Sequence, residues 1–161
     1  MYFDSPIGVL AIRFEDSAVC ELNFLHQAGC KAEAGRPTGT ALMREVCVQL
    51  QGYFSSSTSP LSIPVRLKGT DFQQRVWRAL QQIPAGEVRT YGGLAKQLHS
   101  SARAVGNACR HNPVPIIVPC HRVVSAGGLG GFCGRTEGAE VRLKRWLLKH
   151  EGFELSVLGA A

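Results

Sequence analysis

No apolar run in this 161-residue chain approaches the ~18 residues that a membrane-spanning helix needs. Internal repeats and low-complexity stretches are missing too, which excludes solenoid and tail-like classes. The opening, MYFDSPIGVLAIRFED, carries acidic residues where a secretory signal would place positive charge, so the expected location is the cytoplasm. Six cysteines (Cys20, Cys30, Cys47, Cys109, Cys120 and Cys133) form no C-x-x-C pair, and they read as reduced thiols, mostly small core residues. Cys20, His26 and Cys30 fit no common zinc-finger spacing, so no metal is expected. The glycine-rich GGLGGFCG at 127–134 contains neither G-x-G-x-x-G nor a Walker lysine, which leaves nucleotide binding unsupported.

What is present is a chain with 45% hydrophobic positions, enough to bury a core and too apolar for disorder. Its net charge of +6 is uneven. Residues 1–68 hold six basic and six acidic side chains, whereas residues 69–161 hold twelve and six. A neutral first half and a basic second half predict that the second half meets a polyanion.

The pattern along the chain predicts an α+β protein of two domains, residues 1–68 and 69–161. Residues 7–12 and 18–25 predict a β-hairpin, and 26–40 a loop. Leu42, Val46, Leu50 and Phe54 predict an amphipathic helix over 41–54. SSSTSP breaks it, and LSIPVRL is extended. The second half is mainly helical. Thr70 can cap a helix over 71–83, and Thr90 one over 91–98. After the turn His99-Ser100-Ser101 comes a third helix, Ala102 to Arg110, at helix-turn-helix spacing. Ile116-Ile117-Val118 is expected as a buried strand-like run, and 139–150 as a last helix with Leu143, Trp146 and Leu147 as its apolar contacts.

Two segments carry chemistry. On the helix 102–110, Arg103, Asn107 and Arg110 share one face, while Ala102, Val105 and Cys109 are expected to face the core. Ala102, Ala104, Gly106 and Ala108 are small, so a partner backbone can come close while the arginines neutralise phosphate. A solvated amphipathic helix has the same pattern. In Pro119-Cys120-His121-Arg122, an imidazole adjoins a thiol that it can deprotonate. Neighbours on an extended strand point apart, so the two meet only through a turn or a bridging water. Glu151 and Glu154 are candidates to hold the imidazole. Adjacency alone favours a core cysteine beside an exposed His-Arg pair.

The run from Asn112-Pro113-Val114-Pro115 through Ile116-Ile117-Val118-Pro119-Cys120-His121-Arg122-Val123 resembles the active-site signature of the O6-alkylguanine-DNA alkyltransferases. The resemblance extends over 70–152, through Gly69-Thr70-Asp71-Phe72, Val76-Trp77, Ile83-Pro84-Ala85-Gly86, Tyr91, Ala102-Arg103-Ala104-Val105-Gly106, Trp146-Leu147-Leu148 and His150-Glu151-Gly152. Ser5-Pro6-Ile7-Gly8 matches the opening of the family's loosely specified first domain.

The resemblance implies a winged-helix-like helix-turn-helix and irreversible transfer of an alkyl group from guanine O6 to Cys120, once per molecule, after base flipping. O4-alkylthymine is a second substrate it admits. It makes His121 the base, through a water, Glu151 its orienting partner and Asn112 the support of the turn. Tyr91 assists nucleotide rotation and can hydrogen-bond guanine N3. Arg103 fills the space left by the base, with Ala102, Ala104, Gly106, Asn107 and Arg110 against the minor groove. Val118, Pro119, Phe132 and Cys133 line the base pocket. No cofactor is implied, nor any membrane or obligatory protein partner. The expected species is a monomer on duplex DNA, with cooperative binding admitted. This chain departs from the family in a longer Arg135-Thr136-Glu137-Gly138 segment, and in Cys133, where many members carry a small polar or apolar residue. A lesion-binding regulator without chemistry and a cysteine hydrolase are the competing classes. The first leaves Cys120, His121 and Glu151 together unexplained, and the second lacks an oxyanion donor set.

Overall fold

The computed structural model describes residues 1–25, 39–56 and 59–159. His26 and Cys30, and nearly all of the expected loop 26–40, lie outside the described residues. Two units make up the chain, Met1–Leu67 and Lys68–Ala161.

In the first unit, β1 (Tyr2–Ser5), β2 (Gly8–Glu15) and β3 (Ala18–Leu25) form an antiparallel sheet in the order β1-β2-β3. β3 coincides with the expected run 18–25, β2 continues to Glu15 beyond the expected 7–12, and β1 is an addition: four residues are too few to show alternation by themselves. Asp16 and Ser17 make the β2–β3 turn with positive φ, the twist that a two-residue hairpin requires. Alternate residues Leu10 and Ile12 of β2 point inward with Val19 and Leu22 of β3. The helix α1 (Ala41–Ser55), capped by Thr40, adds Val46, Leu50 and Tyr53 to the core. Beyond α1 the extended chain pairs with β3: Val19 N–H donates to Pro64 O at 2.9 Å, and Arg66 N–H to Val19 O at 2.8 Å.

The second unit is built on helices. α2 (Asp71–Gln81) starts in a complete capping box between Thr70 and Gln73 and buries Val76, Trp77 and Leu80. A two-residue strand, β4 (Arg89–Thr90), leads into α3 (Tyr91–Gln97), capped by the Thr90 hydroxyl. α4 (Ala102–Arg110) is capped by Ser101. β4 pairs in parallel with β5 (Val123–Val124), and α5 (Ala139–His150) follows the glycine-rich segment. The indole N–H of Trp77 donates to Ala108 O at 2.9 Å in the interior, tying α2 to α4.

Three expectations change. The run Ile116–Val118 is a turn, with Ile116 at φ +74° and Val118 N–H bonded to Val114 O at 2.9 Å. A short buried apolar run cannot by itself separate strand from packed turn. Ala102 is exposed at the start of α4, where Val105, Ala108 and Cys109 form the inner face. Trp146 is half-buried and stacks on His150 with ring centroids 4.9 Å apart, while Leu143, Lys144, Leu147 and Leu148 are the inward residues of α5.

Candidate active site

The backbone between α4 and β5 is held by one side chain. Asn112 Nδ2 donates to Val118 O at 2.7 Å, and Asn112 Oδ1 accepts from Val114 N–H at 3.0 Å. With both ends of the turn pinned, Cys120, His121 and Arg122 follow as one turn of 3₁₀ helix. Cys120 and His121 therefore sit on curled backbone, not on the extended strand that would separate their side chains.

Behind the cysteine lies a fully enclosed pair. His121 Nε2 is 2.8 Å from Glu151 Oε1, and neither side chain is exposed. Glu151 is the C-terminal cap of α5, reached from the cysteine turn through the fold and not through local sequence. Arg122 completes the cluster. Its Nε donates to Glu151 Oε2 at 2.9 Å, its Nη2 to Glu151 Oε1 at 2.8 Å and its Nη1 to Ile83 O at 2.5 Å. Such a bidentate clamp fixes the carboxylate in plane. Gly86, at φ +83°, borders it: a Cβ there would lie 3.0 Å from Glu151 O. Glu154, the other candidate partner of the imidazole, is exposed.

The electrostatics follow from burial. Desolvation alone would raise the Glu151 carboxyl, but hydrogen bonds from His121 and Arg122 hold it well below the usual carboxylate range. Burial lowers His121 from its ordinary value, against the opposing pull of Glu151, so the imidazole rests neutral. An ionised carboxylate can only accept, so Nε2 carries the proton and Nδ1 presents a lone pair. Nδ1 is buried without a hydrogen-bond partner among the described residues. Burial also raises the Cys120 thiol, against the lowering influence of Asn112 and Lys144. Cys120 thus rests as a thiol, next in the chain to a neutral imidazole.

Cys120, only 4% exposed, opens on a cleft of about 710 Å³. Tyr91, Arg103, Ala104, Gly106, Asn107, Cys109 and Arg110 line it from α3 and α4, and residues 131–136 line it from the glycine-rich segment. Phe132 and Cys133 are in this lining. Val118 and Pro119 are not: both are buried beneath it, and Val118 contributes the carbonyl that Asn112 holds. Ala102 is also outside the lining. The Tyr91 hydroxyl donates to Gly131 O at 3.4 Å, and burial raises this phenol, so it stays protonated.

Lys144 and Arg122 are the members that sequence reasoning missed. Lys144 has no exposed surface, and its Nζ donates to Val123 O at 2.5 Å and Gly131 O at 2.8 Å, 5.7 Å from the Tyr91 ring centroid. Burial depresses its ammonium to about 8, partly opposed by Cys120, Cys109 and Cys133. Its position between inward Leu143 and Leu147 was the available signal, because a lysine there needs partners. For Arg122 the signal was its place beside His121.

Comparison with known proteins gives this arrangement its kin. The family model described as 6-O-methylguanine DNA methyltransferase, DNA binding domain, matches residues 71–153. A Mycobacterium tuberculosis protein named methylated-DNA–protein-cysteine methyltransferase is 41% identical over 151 residues, 92% of this chain and 88% of the relative. One of the same name from Methanosarcina mazei is 46% identical over 150 residues, covering 91% and 92%. Among solved structures, Mycobacterium tuberculosis OGT in complex with DNA superposes with a TM-score of 0.75 at 39% identity, covering 94% of this chain and 91% of that one. The crystal structure of Mycobacterium tuberculosis O6-methylguanine methyltransferase gives 0.76 at 37% identity, covering 98% and 97%. The family model lies within the second unit, the relatives and solved structures span both units and the structures share the α+β fold, and on them the chain belongs to the methylated-DNA–protein-cysteine methyltransferase family.

Proposed function

We propose that this protein repairs O6-alkylguanine in duplex DNA by moving the alkyl group irreversibly onto Cys120. The observation that carries this reading is the buried Glu151–His121 pair set behind a cysteine that opens into an arginine-lined cleft. Guanine O6 lies inside the base stack, so the nucleotide must first leave the duplex, at a cost of about a few kcal/mol. Arg103, exposed on α4, fills the space left behind, while small residues of that helix let the minor groove approach. The cleft, with buried Phe132 in its lining, then receives the base.

In the chemical step the Cys120 sulfur bonds to the alkyl carbon as the carbon–O6 bond breaks. The thiol proton passes through a water to the Nδ1 lone pair of His121, whose new charge is stabilised by Glu151. The Tyr91 hydroxyl donates a hydrogen bond to N3 as negative charge grows on the departing guanine, which regains a proton from solvent. The resulting thioether has no leaving path, so each molecule acts once. The working species is a cytoplasmic monomer.

Incubation with duplex DNA containing O6-methylguanine tests this. One methyl mass should appear on the peptide containing Cys120, stoichiometrically, and Cys120→Ala should abolish it. An unmodified Cys120 after full exposure to the lesion refutes the proposal.

A further inference from the structure

We infer that Arg135, in the segment this chain has beyond the family pattern, binds a backbone phosphate of the DNA strand that delivers the damaged nucleotide, an inference that rests on the function proposed above. Residues Phe132 to Arg135 close a tight two-residue turn, with Phe132 N–H donating to Arg135 O at 2.8 Å and Arg135 N–H to Phe132 O at 2.9 Å. Cys133 and Gly134 both have positive φ, 48° and 79°, as a turn of the I′ type demands. Phe132 is buried, so the turn is anchored at one end and presents Arg135 and Thr136 to the cleft at the other. Gly134 has a second use: a Cβ there would lie 2.9 Å from Arg110 Nε, so the glycine lets the Arg110 side chain lie against the turn.

The outcome is a cleft bordered by Arg103 and Arg110 from α4 and by Arg135 from the turn, with no carboxylate in its lining. None of these three guanidinium groups has an ion-pair or hydrogen-bond partner among the described residues. Three like charges around one opening repel each other, a cost that only an anionic occupant reverses. The base-extruding step accounts for Arg103, and Arg110 extends the same helix face. Arg135 is left over, and it comes from a different element. A flexible strand entering the cleft has phosphates on both sides of the extruded nucleotide, and a guanidinium on a fixed turn can take one of them bidentately.

The test is a salt titration of binding to an undamaged duplex, comparing wild type with Arg135→Ala, Arg135→Lys and Arg145→Ala. Arg145 is exposed on α5 and outside the cleft lining, so it controls for net charge. Arg135→Ala should weaken binding and reduce the log–log salt slope by about one phosphate, ~0.9. Arg135→Lys should recover most of the slope. Arg135→Ala should also slow alkyl transfer from duplex DNA more than labelling of Cys120 by free O6-benzylguanine. A wild-type salt slope in Arg135→Ala, or an equal loss in Arg145→Ala, overturns the inference. If wild type labels Cys120 with neither substrate, the proposed function fails, while the slope on undamaged duplex still decides the role of Arg135.

Discussion

His121 and Glu151, thirty residues apart in the chain, meet at 2.8 Å with both side chains wholly enclosed, and Arg122 grips the same carboxylate from the other edge. The imidazole is thereby oriented by a carboxylate whose side chain is closed to solvent. Because burial lowers His121, its basic form persists below the ordinary imidazole range near pH 6.5. Alkyl transfer should hold its rate as pH falls through that range and decline only at lower pH. Glu151→Gln keeps the shape but removes the charge, and should slow transfer about 10- to 100-fold. Single-turnover rates across pH, with DNA affinity measured in parallel, check both statements.

Asn112 offers a different lever. Asn112→Ala leaves Val118 O and Val114 N–H without their partners, which should cost about 1–3 kcal/mol of stability. The turn that delivers Cys120 should loosen, so transfer should slow by more than the lost stability accounts for. Urea unfolding together with single-turnover rates separates the two effects.

Lys144 should leave its mark on stability as a function of pH. Its folded value, about 8, lies below the ordinary 10.5, so the unfolded chain binds more protons between those values. This lysine therefore opposes folding at neutral pH and opposes it less as pH rises from about 8 to 10.5. The raised thiols act in the opposite sense above pH 9, so the informative quantity is the difference between wild type and Lys144→Met. Wild type should gain on the variant over that interval. Denaturant midpoints at several pH values would show parallel curves if Lys144 keeps an ordinary value.

Arg103→Ala should slow transfer from duplex DNA more than the reaction of Cys120 with free O6-benzylguanine, since only the duplex has to give up a stacked base. Equal slowing on both substrates would remove the arginine from the extrusion step.

Much of the helical frame was legible because caps and periodicity agreed. Thr70 and Thr90 each stand one residue ahead of an apolar stripe, and each hydroxyl accepts a hydrogen bond from a first-turn N–H, as does that of Ser101, which reads from sequence as part of the turn. The site was legible as residue types but not as geometry. Apart from the family resemblance at His150-Glu151-Gly152, nothing local to Glu151 distinguishes it from Glu154; the helix end that buries one and exposes the other is a tertiary result. Ile116 adopts a left-handed conformation that β-branched residues resist, so its propensity pointed to strand while the Asn112 hydrogen bonds imposed a turn. Lys144 was hidden for a similar reason: periodicity marks which face is inward, but not that a charged residue there will find two carbonyls.

Enclosure of the Cys120 sulfur has a consequence for the idle protein. Peroxides, glutathione disulfide and stray electrophiles react with thiolates far faster than with thiols. A residue kept protonated reacts with them only slowly, so it should still be intact when a lesion finally arrives.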